Sequence, residues 1–593
     1  MKFNSILIKS TILLGLLILT SGAIAQKAAK DTSWVFRSNQ FTQKLINLEK
    51  KYAPEYASAQ GLPEYDNEIS VPTLKSVKAK HQDEIQLLAK LRKSLSSEEN
   101  KFIVQDLEIL ISYLSLRIEQ ENLDEQRKVV LLNPTLLIFG GLEPLFDKQS
   151  LESRRQSAVD RIKKYAGLTK GCVPIAGILQ ARMKAQMLGG NKIYPSRQRI
   201  ETELARNPAI LKGIAEWCTK YELIGWEEPF ALLKNQLESY DKWLSKMVLP
   251  KASKDFRLLP QEYALNLRSY GINISQQELI ELAHKMFVSI QEEMKPIAAE
   301  IATKRGLPSS DYRFVVGELK KQQVHGDSII ALYKNRLKDV ESIILKNQIV
   351  SLPARPAIIR LASTAETSRN PAPHMDAPPF LNNKGEKGVF VLPLNMPPTP
   401  GEVGNERFDE FTFDAASWTL IAHEARPGHE LQFDKMVEEG VSLARALYAF
   451  NSTNVEGWGL YSESIIRPYM PLEGQLISLD YRLLRAARAF LDPELQQGLI
   501  TTDQAMHVLM DEVIQSRAFA RQEVERYTLK SPGQATSYLF GFIKMVSLRR
   551  DTERILAQKF NAQKFHDFIL EQGILSPVQI RKAVEEHFIP SQF

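Results

Sequence analysis

From about Phe41 to Gln348, apolar residues recur at spacings of three and four, which commits this stretch to packed amphipathic helices. In FIVQDLEILISYLSLRIEQ, for example, Ile103, Leu107, Leu110, Leu114 and Ile118 share one helical face. The same pattern predicts helices over Gln156–Ala166, Ile210–Met247, Gln276–Ala302 and Ser328–Lys346. Ten prolines then fall between Pro353 and Pro400 and exclude long helices there. Two short runs in that tract, AIIRLAS and GVFVLPL, cluster β-branched and aromatic residues between turn signals and predict strands. Helical texture returns at Asp414, a candidate N-cap, and continues to the C-terminus. The expectation is a mostly α body of two helical lobes, 26–350 and 403–593. A small Pro-rich β insertion, 351–402, lies between them beside a central cleft.

The first 25 residues have a different character. Lys2 and Lys9 precede the apolar run TILLGLLILTSGAIA, which ends in the small-x-small pattern Ala23-Ile24-Ala25. This predicts a signal peptide cleaved after Ala25 and a periplasmic or secreted product. No cysteine stands at the cleavage point, so a lipid-modified N-terminus is not expected. No later stretch approaches the ~20 apolar residues that span a bilayer, so no stable membrane insertion is expected after cleavage. With 44% hydrophobic and 25% charged residues the chain reads as soluble and globular. The net charge of +6 becomes +4 when the two leader lysines leave. No dense basic run interleaved with aromatics appears, which argues against nucleic acid as a partner. Cys172 and Cys218 are the two cysteines, free to pair or to stay as buried thiols.

The chemistry concentrates in TLIAHEARPGHELQFDK, Thr419 to Lys435. A zinc-hydrolase helix carries its two histidines four residues apart, on one face. Here His423 and His429 are six apart, which on an intact helix turns the side chains ~240° from each other. Pro427 cannot donate to the carbonyl of His423, and Gly428 reaches backbone angles closed to other residues. Together they predict a helix that breaks near Ala425, restarts near His429 and returns both imidazoles to one point. The alternative is an ordinary helix end with His429 opening the next helix. Zinc in a hydrolase takes three protein ligands and leaves one position open. Glu456, in NVEGWGLYSES, is the candidate third ligand, or else a solvated helix glutamate. Glu463, seven residues on, shares its helical face and can orient a ligand histidine. Glu424, beside His423, is the candidate general base. His374, in the NPAPHMDAPP loop, reads as an ordinary loop residue within reach of substrate. His81, His284, His325, His507, His566 and His587 carry no motif and read as surface or core.

Four segments occur in order: HEARPGHELQ, VEGWGLYSE, RAARAFLDPELQ and ERYTLKSPGQATSYLFG. Together they resemble the bacterial family of domain of unknown function 885, whose members look like gluzincin-type zinc metallopeptidases. The family is distantly similar in layout to angiotensin-converting enzyme and carboxypeptidase Taq. The likeness runs from about Ser33 to Ser591 and is most specific from His423 to Gly541. It implies His423, His429 and Glu456 as zinc ligands, Glu424 as base, and Tyr538 as an oxyanion donor or else a core aromatic. It also matches Arg488 and Asp492 to an arginine–aspartate pattern; four apart on a helix, they are expected to pair. Many members carry histidine where this chain has Glu430 and Gln496, and Gln496 donates a hydrogen bond but not a proton.

These readings converge on an exported zinc-dependent hydrolase that cleaves peptide bonds in short or unfolded substrates. GVFVLPL is expected to hold an extended peptide by strand addition. Two alternatives share the scaffold: a peptide-binding protein that does not cut, and a metal hydrolase of non-peptide amides or esters. A binder has no need of Glu424.

Overall fold

Ser275 and Glu278 close a capping box at the start of Gln276–Arg305, and Gly306 ends that helix in the left-handed region at φ 63°. Between these caps Leu279, Ala283, Phe287, Ile290, Met294, Ala298 and Ile301 form a buried stripe at helical spacing. Each such fully buried large apolar side chain contributes ~1.5–3 kcal/mol. The same logic repeats through the chain in a computed structural model that describes residues 33–146, 152–326, 328–363, 366–367, 370, 372–393 and 408–593. The leader, 1–25, lies outside the described residues. Helices hold 71% of residues and strands 3%, which makes the molecule mostly α.

The helices that build and buttress the site are, in chain order, α1 (Gln276–Arg305), α2 (Ser328–Lys346), α3 (Asp414–Leu420), α4 (His429–Glu439), α5 (Ser452–Ile466), α6 (Leu472–Gln497), α7 (Arg517–Glu525) and α8 (Ser537–Leu556). Helix α6 is buried along nearly its whole length, packs along α1, and ends at Gly498 in the left-handed region. Helices α5 and α8 touch backbone to backbone. A Cβ on Gly457 would lie 2.6 Å from the Gly541 carbonyl carbon, and one on Gly541 would collide with the Thr453 carbonyl oxygen.

Ser328–Lys346 folds as the periodicity predicts, with Ile329, Tyr333, Leu337, Val340 and Ile344 buried. Ile210–Met247 does not. It divides between two helices, Arg197–Lys220 and Glu227–Met247. Glu222 and Gly225 between them take positive φ, 51° and 74°, which ends one helix before the next begins. Asp414 is one residue inside its helix: the N-cap is Phe413, and the Asp414 carboxylate pairs with Arg336 at 2.6 Å.

The β insertion forms a three-stranded sheet in the order β1 (Ile358–Leu361), β3 (Val389–Leu392), β2 (His374–Asp376). AIIRLAS and GVFVLPL supply β1 and β3; β2 is too short for a period-two pattern to show. Strand β3 pairs parallel with β1, Ile359 opposite Phe390, and antiparallel with β2, Met375 opposite Phe390. Both edges of β3 are therefore used. A peptide cannot add to GVFVLPL, which corrects that expectation; among the described residues the outer edges of the sheet belong to β1 and β2.

The largest hydrophobic core joins the two ends of the chain, from Leu45–Leu114 to Ile280–Phe588. A second core gathers Val129 to Val248. Cys172 and Cys218 stay unpaired, and burial pushes the Cys218 thiol up to about 12. Among the described residues no helix is long and apolar enough to cross a membrane.

Candidate metal centre

Helix α3 runs on through a π-helical turn, Ile421–Ala425, and stops. Arg426 is extended at φ −123°, ψ 133°, the Arg426–Pro427 peptide is cis, and α4 opens at His429. The turn leaves no room for a side chain at Gly428, where a Cβ would collide with the His423 carbonyl oxygen. Two contacts pin the break. Trp458 Nε1 donates to the Pro427 carbonyl at 2.9 Å, and Arg426 binds Glu341 at 2.6 Å and Glu430 at 2.9 Å.

The bend turns both imidazoles inward. Their ring centroids lie 4.6 Å apart at an interplanar angle of 82°. Nε2 of His423 and Nε2 of His429 each sit 3.5 Å from Glu456 Oε2, which α5 presents from the opposite side. These separations are too long for good hydrogen bonds. They fit a shared cation instead: ligand bonds of ~2.0–2.1 Å in a tetrahedron put donor atoms ~3.3–3.4 Å apart. Two imidazoles and one carboxylate form a donor set suited to zinc with one position left open.

Glu463 Oε1 accepts from His423 Nδ1 at 2.8 Å, and Glu463 Oε2 accepts from the Thr419 hydroxyl at 2.7 Å. Gly459, between Glu456 and Glu463 on α5, makes space for the ring, since a Cβ there would lie 2.5 Å from His423 Cε1. His429 is held differently, by its place at the head of α4 and by Phe433 packed edge-on at 6.4 Å. Its Nδ1 is buried without a hydrogen-bond partner among the described residues.

Electrostatics follow this packing. Burial works to lower the His423 pKa, but Glu456, Glu463 and Glu424 raise it to about 9. Against the same burial, His423 and His429 hold Glu456 well below the usual carboxylate range. Glu424 is 8% exposed, and no hydrogen bond reaches its carboxylate among the described residues. Burial raises its pKa, as suits a proton acceptor. Tyr538, on α8, lies nearly parallel to the His423 ring at 6.5 Å and 17°, with its hydroxyl unpartnered among the described residues. Burial and Glu456 raise its pKa, while Arg526, Arg488 and Arg485 oppose the rise.

The remaining candidates take other places. Arg488 and Asp492 do not pair. Arg488 binds Glu523, on α7, through two bonds of 2.6 and 2.8 Å and lies 4.7 Å over the Tyr538 ring. Asp492 accepts from the Tyr263 hydroxyl and the Gly533 N–H, each at 2.9 Å. Both side chains are buried, so distant partners outcompete the helical neighbour. Gln496 donates to the Tyr527 carbonyl at 2.8 Å, accepts from Leu258 N at 2.9 Å, and lines a cavity of about 830 Å³. Glu430 is fully buried and bridges Arg426 and Arg355. His374 lies in strand β2, where it acts electrostatically on Glu424.

Sequence reasoning missed Thr419, Gly459, Arg485 and Glu523. Thr419 precedes His423 by one helical turn, and Gly459 falls on the Glu456–Glu463 face, so spacing held a signal for both. Glu523 gave none. A second acidic cluster, His81, Glu84 and Glu121, already has its cation: Lys80 Nζ lies 3.0 Å from Glu84 and 2.9 Å from Glu121.

Solved structures that share this fold include two bacterial proteins. One is a presumptive lipoprotein of unknown function from Shewanella oneidensis, 20% identical, TM-score 0.68, covering 92% of this chain and 98% of its own. The other is a presumptive lipoprotein from Colwellia psychrerythraea, 16% identical, TM-score 0.69, covering 94% and 98%. No curated protein matches the chain. Residues 54–584 match the family model "Bacterial protein of unknown function (DUF885)", and the chain belongs to that family.

Proposed function

We propose that this protein is an exported zinc-dependent hydrolase of peptide bonds, similar in its site to gluzincin-type metallopeptidases. One observation carries the reading: His423, His429 and Glu456 converge with their ligand atoms within 4.8 Å of one another, beside the buried Glu424, whose carboxylate no hydrogen bond engages among the described residues. The chemistry that zinc supplies when bound is Lewis acidity, which polarises a scissile carbonyl and acidifies a water molecule. Glu424 takes the proton from that water and returns it to the leaving amine. Tyr538 donates its hydroxyl hydrogen bond to the developing oxyanion. Glu463 and Thr419 hold the tautomer and the ring plane of His423.

The same reading extends to substrate access. We assign the extended substrate backbone to the outer edge of β2, a strand that packs against the turn carrying Glu424, rather than to β3. The 830 Å³ cavity lies between Lys128–Leu131 and Ser253–Pro260 on one side and Gln496–Pro532 on the other. None of His423, Glu424, His429, Glu456 or Tyr538 lines it, so the reading of two metallopeptidase-like lobes across a cleft that admits short or unfolded peptides rests on the resemblance of the motifs, not on this cavity. The leader sequence, together with two solved relatives described as presumptive lipoproteins, supports a periplasmic or secreted location.

Metal analysis of the purified mature protein, beside peptide turnover, tests this function. The wild type should hold about one zinc per chain, His429→Ala should lose it, and Glu424→Gln should keep it without turnover. A wild type that binds no metal, or a Glu424→Gln variant that cuts at the wild-type rate, overturns the reading.

A further inference from the structure

Buried guanidinium groups crowd the side of the site that carries Tyr538. Arg488 has a full bidentate partner: it engages Glu523 at both oxygens, and Tyr527 adds a third bond to that carboxylate at 2.8 Å. Arg485 reaches Glu463 only at 3.8 Å, and its Nε is buried with no hydrogen-bond partner. Arg526 is the least satisfied of the three. Its nearest carboxylate oxygen is Glu523 Oε1 at 3.8 Å, an atom already bound by Arg488. Arg526 Nη1 is buried without a partner, while a fifth of the side chain remains exposed.

The surrounding charges do not neutralise it. Asp492 is engaged elsewhere, accepting from the Tyr263 hydroxyl and the Gly533 N–H at 2.9 Å each, and burial pushes its carboxyl up to about 8. Glu525, the next residue back, is taken by Arg206 at 2.7 Å and Lys530 at 3.2 Å. The carboxylates nearest these guanidinium groups are thus already engaged: Glu463 by His423 and Thr419, Glu523 by Arg488 and Tyr527, and Glu525 by Arg206 and Lys530. An orphaned buried donor costs ~1–3 kcal/mol, and a planar guanidinium is best satisfied by a carboxylate that meets two of its N–H groups.

We propose that Arg526 is a carboxylate-binding residue of this site, its guanidinium, held among the described residues only by a 3.8 Å ion pair to Glu523, receiving an anionic group of the substrate on the Tyr538 side of the His423–His429–Glu456 triad. The inference rests on the hydrolase reading for its choice of substrate, and it deepens that reading. The peptides cut here carry a carboxylate near the scissile bond, either the chain terminus or an acidic side chain. Arg485 and Arg488 act as positioning residues that hold the field around it.

Binding tests this without turnover. In a Glu424→Gln background, calorimetry compares three N-acetylated peptides: tetraalanine as the free acid, the same peptide as the C-terminal amide, and an amide with one alanine replaced by glutamate. At least one carboxylate-bearing peptide should bind ~10-fold or more tightly than the neutral amide. The free acid as the preferred ligand identifies the chain terminus, and the glutamate amide identifies the side chain. Arg526→Gln should bring the preference within twofold, and Arg526→Lys, which keeps the charge and guards against a folding artefact, should retain part of it. Equal binding of all three peptides, no binding at millimolar concentration, or a preference that survives Arg526→Gln overturns the proposal. Turnover by wild type without the preference removes the subsite alone; the preference without turnover removes the hydrolase reading alone.

Discussion

Glu463 stands behind His423, accepting Nδ1 at 2.8 Å with one oxygen and the Thr419 hydroxyl at 2.7 Å with the other. The pair sets which nitrogen of His423 faces Glu456. Glu463→Gln preserves the shape but removes the charge. It should weaken zinc binding ~10–100-fold, with little change in melting temperature. Competition against a chelator of known affinity measures this; an unchanged affinity would remove Glu463 from the site.

Gly459 and Gly140 are both helical glycines, yet the same substitution should act on them in opposite directions. A Cβ at 459 meets the His423 ring at 2.5 Å, whereas nothing lies within 4 Å of one at 140. Gly459→Ala should displace His423 and lower both zinc affinity and stability. Gly140→Ala should be neutral or stabilise by ~0.5–1 kcal/mol. Paired denaturant titrations distinguish them.

His566, which is not among the candidate ligands, gives a separate pH dependence. It is 1% exposed, pairs with the Tyr461 hydroxyl at 2.7 Å and donates to the Ile349 carbonyl at 2.7 Å. Burial lowers its pKa from 6.5 to about 4. The folded state therefore keeps the imidazole neutral where the unfolded chain protonates it. The stability this confers is complete above pH 6.5 and is lost as pH falls from 6.5 to about 4. The loss amounts to ~3 kcal/mol. His566→Gln should be less stable at neutral pH and lose correspondingly less on acidification, as urea midpoints across that range will show.

Glu430 is fully buried and joins Arg426 to Arg355, whose guanidinium also reaches Asp434 at 2.6 Å. Glu430→Ala leaves buried positive charge uncompensated and should destabilise the fold by ~3–5 kcal/mol. A chemical denaturation midpoint equal to wild type would show the network to be dispensable.

Local signals in the sequence read well and distant ones did not. The stripe Ile329–Ile344 is periodic, so α2 is legible end to end, and Pro427-Gly428 marks the break between His423 and His429 because the obstruction lies within one turn. The Glu222–Gly225 turn was overlooked because helical periodicity resumes in phase on both sides, with Gly225 as its one marker. Strand β2 exists through its pairing with β3, not through its own three residues. Arg488 and Asp492 show the limit of spacing rules. Four apart on a helix they are natural partners, yet Glu523 and Tyr263 arrive from elsewhere in the chain and claim them.

The glycine contact between α5 and α8 has a mechanical corollary. Main chains that touch at Gly457 and Gly541 leave no cushion of side chains to deform, so Glu456 and Tyr538 travel as one piece. Breathing of the pocket is left to the other side, where strands β2 and β3 pack against the turn Ile421–Ala425.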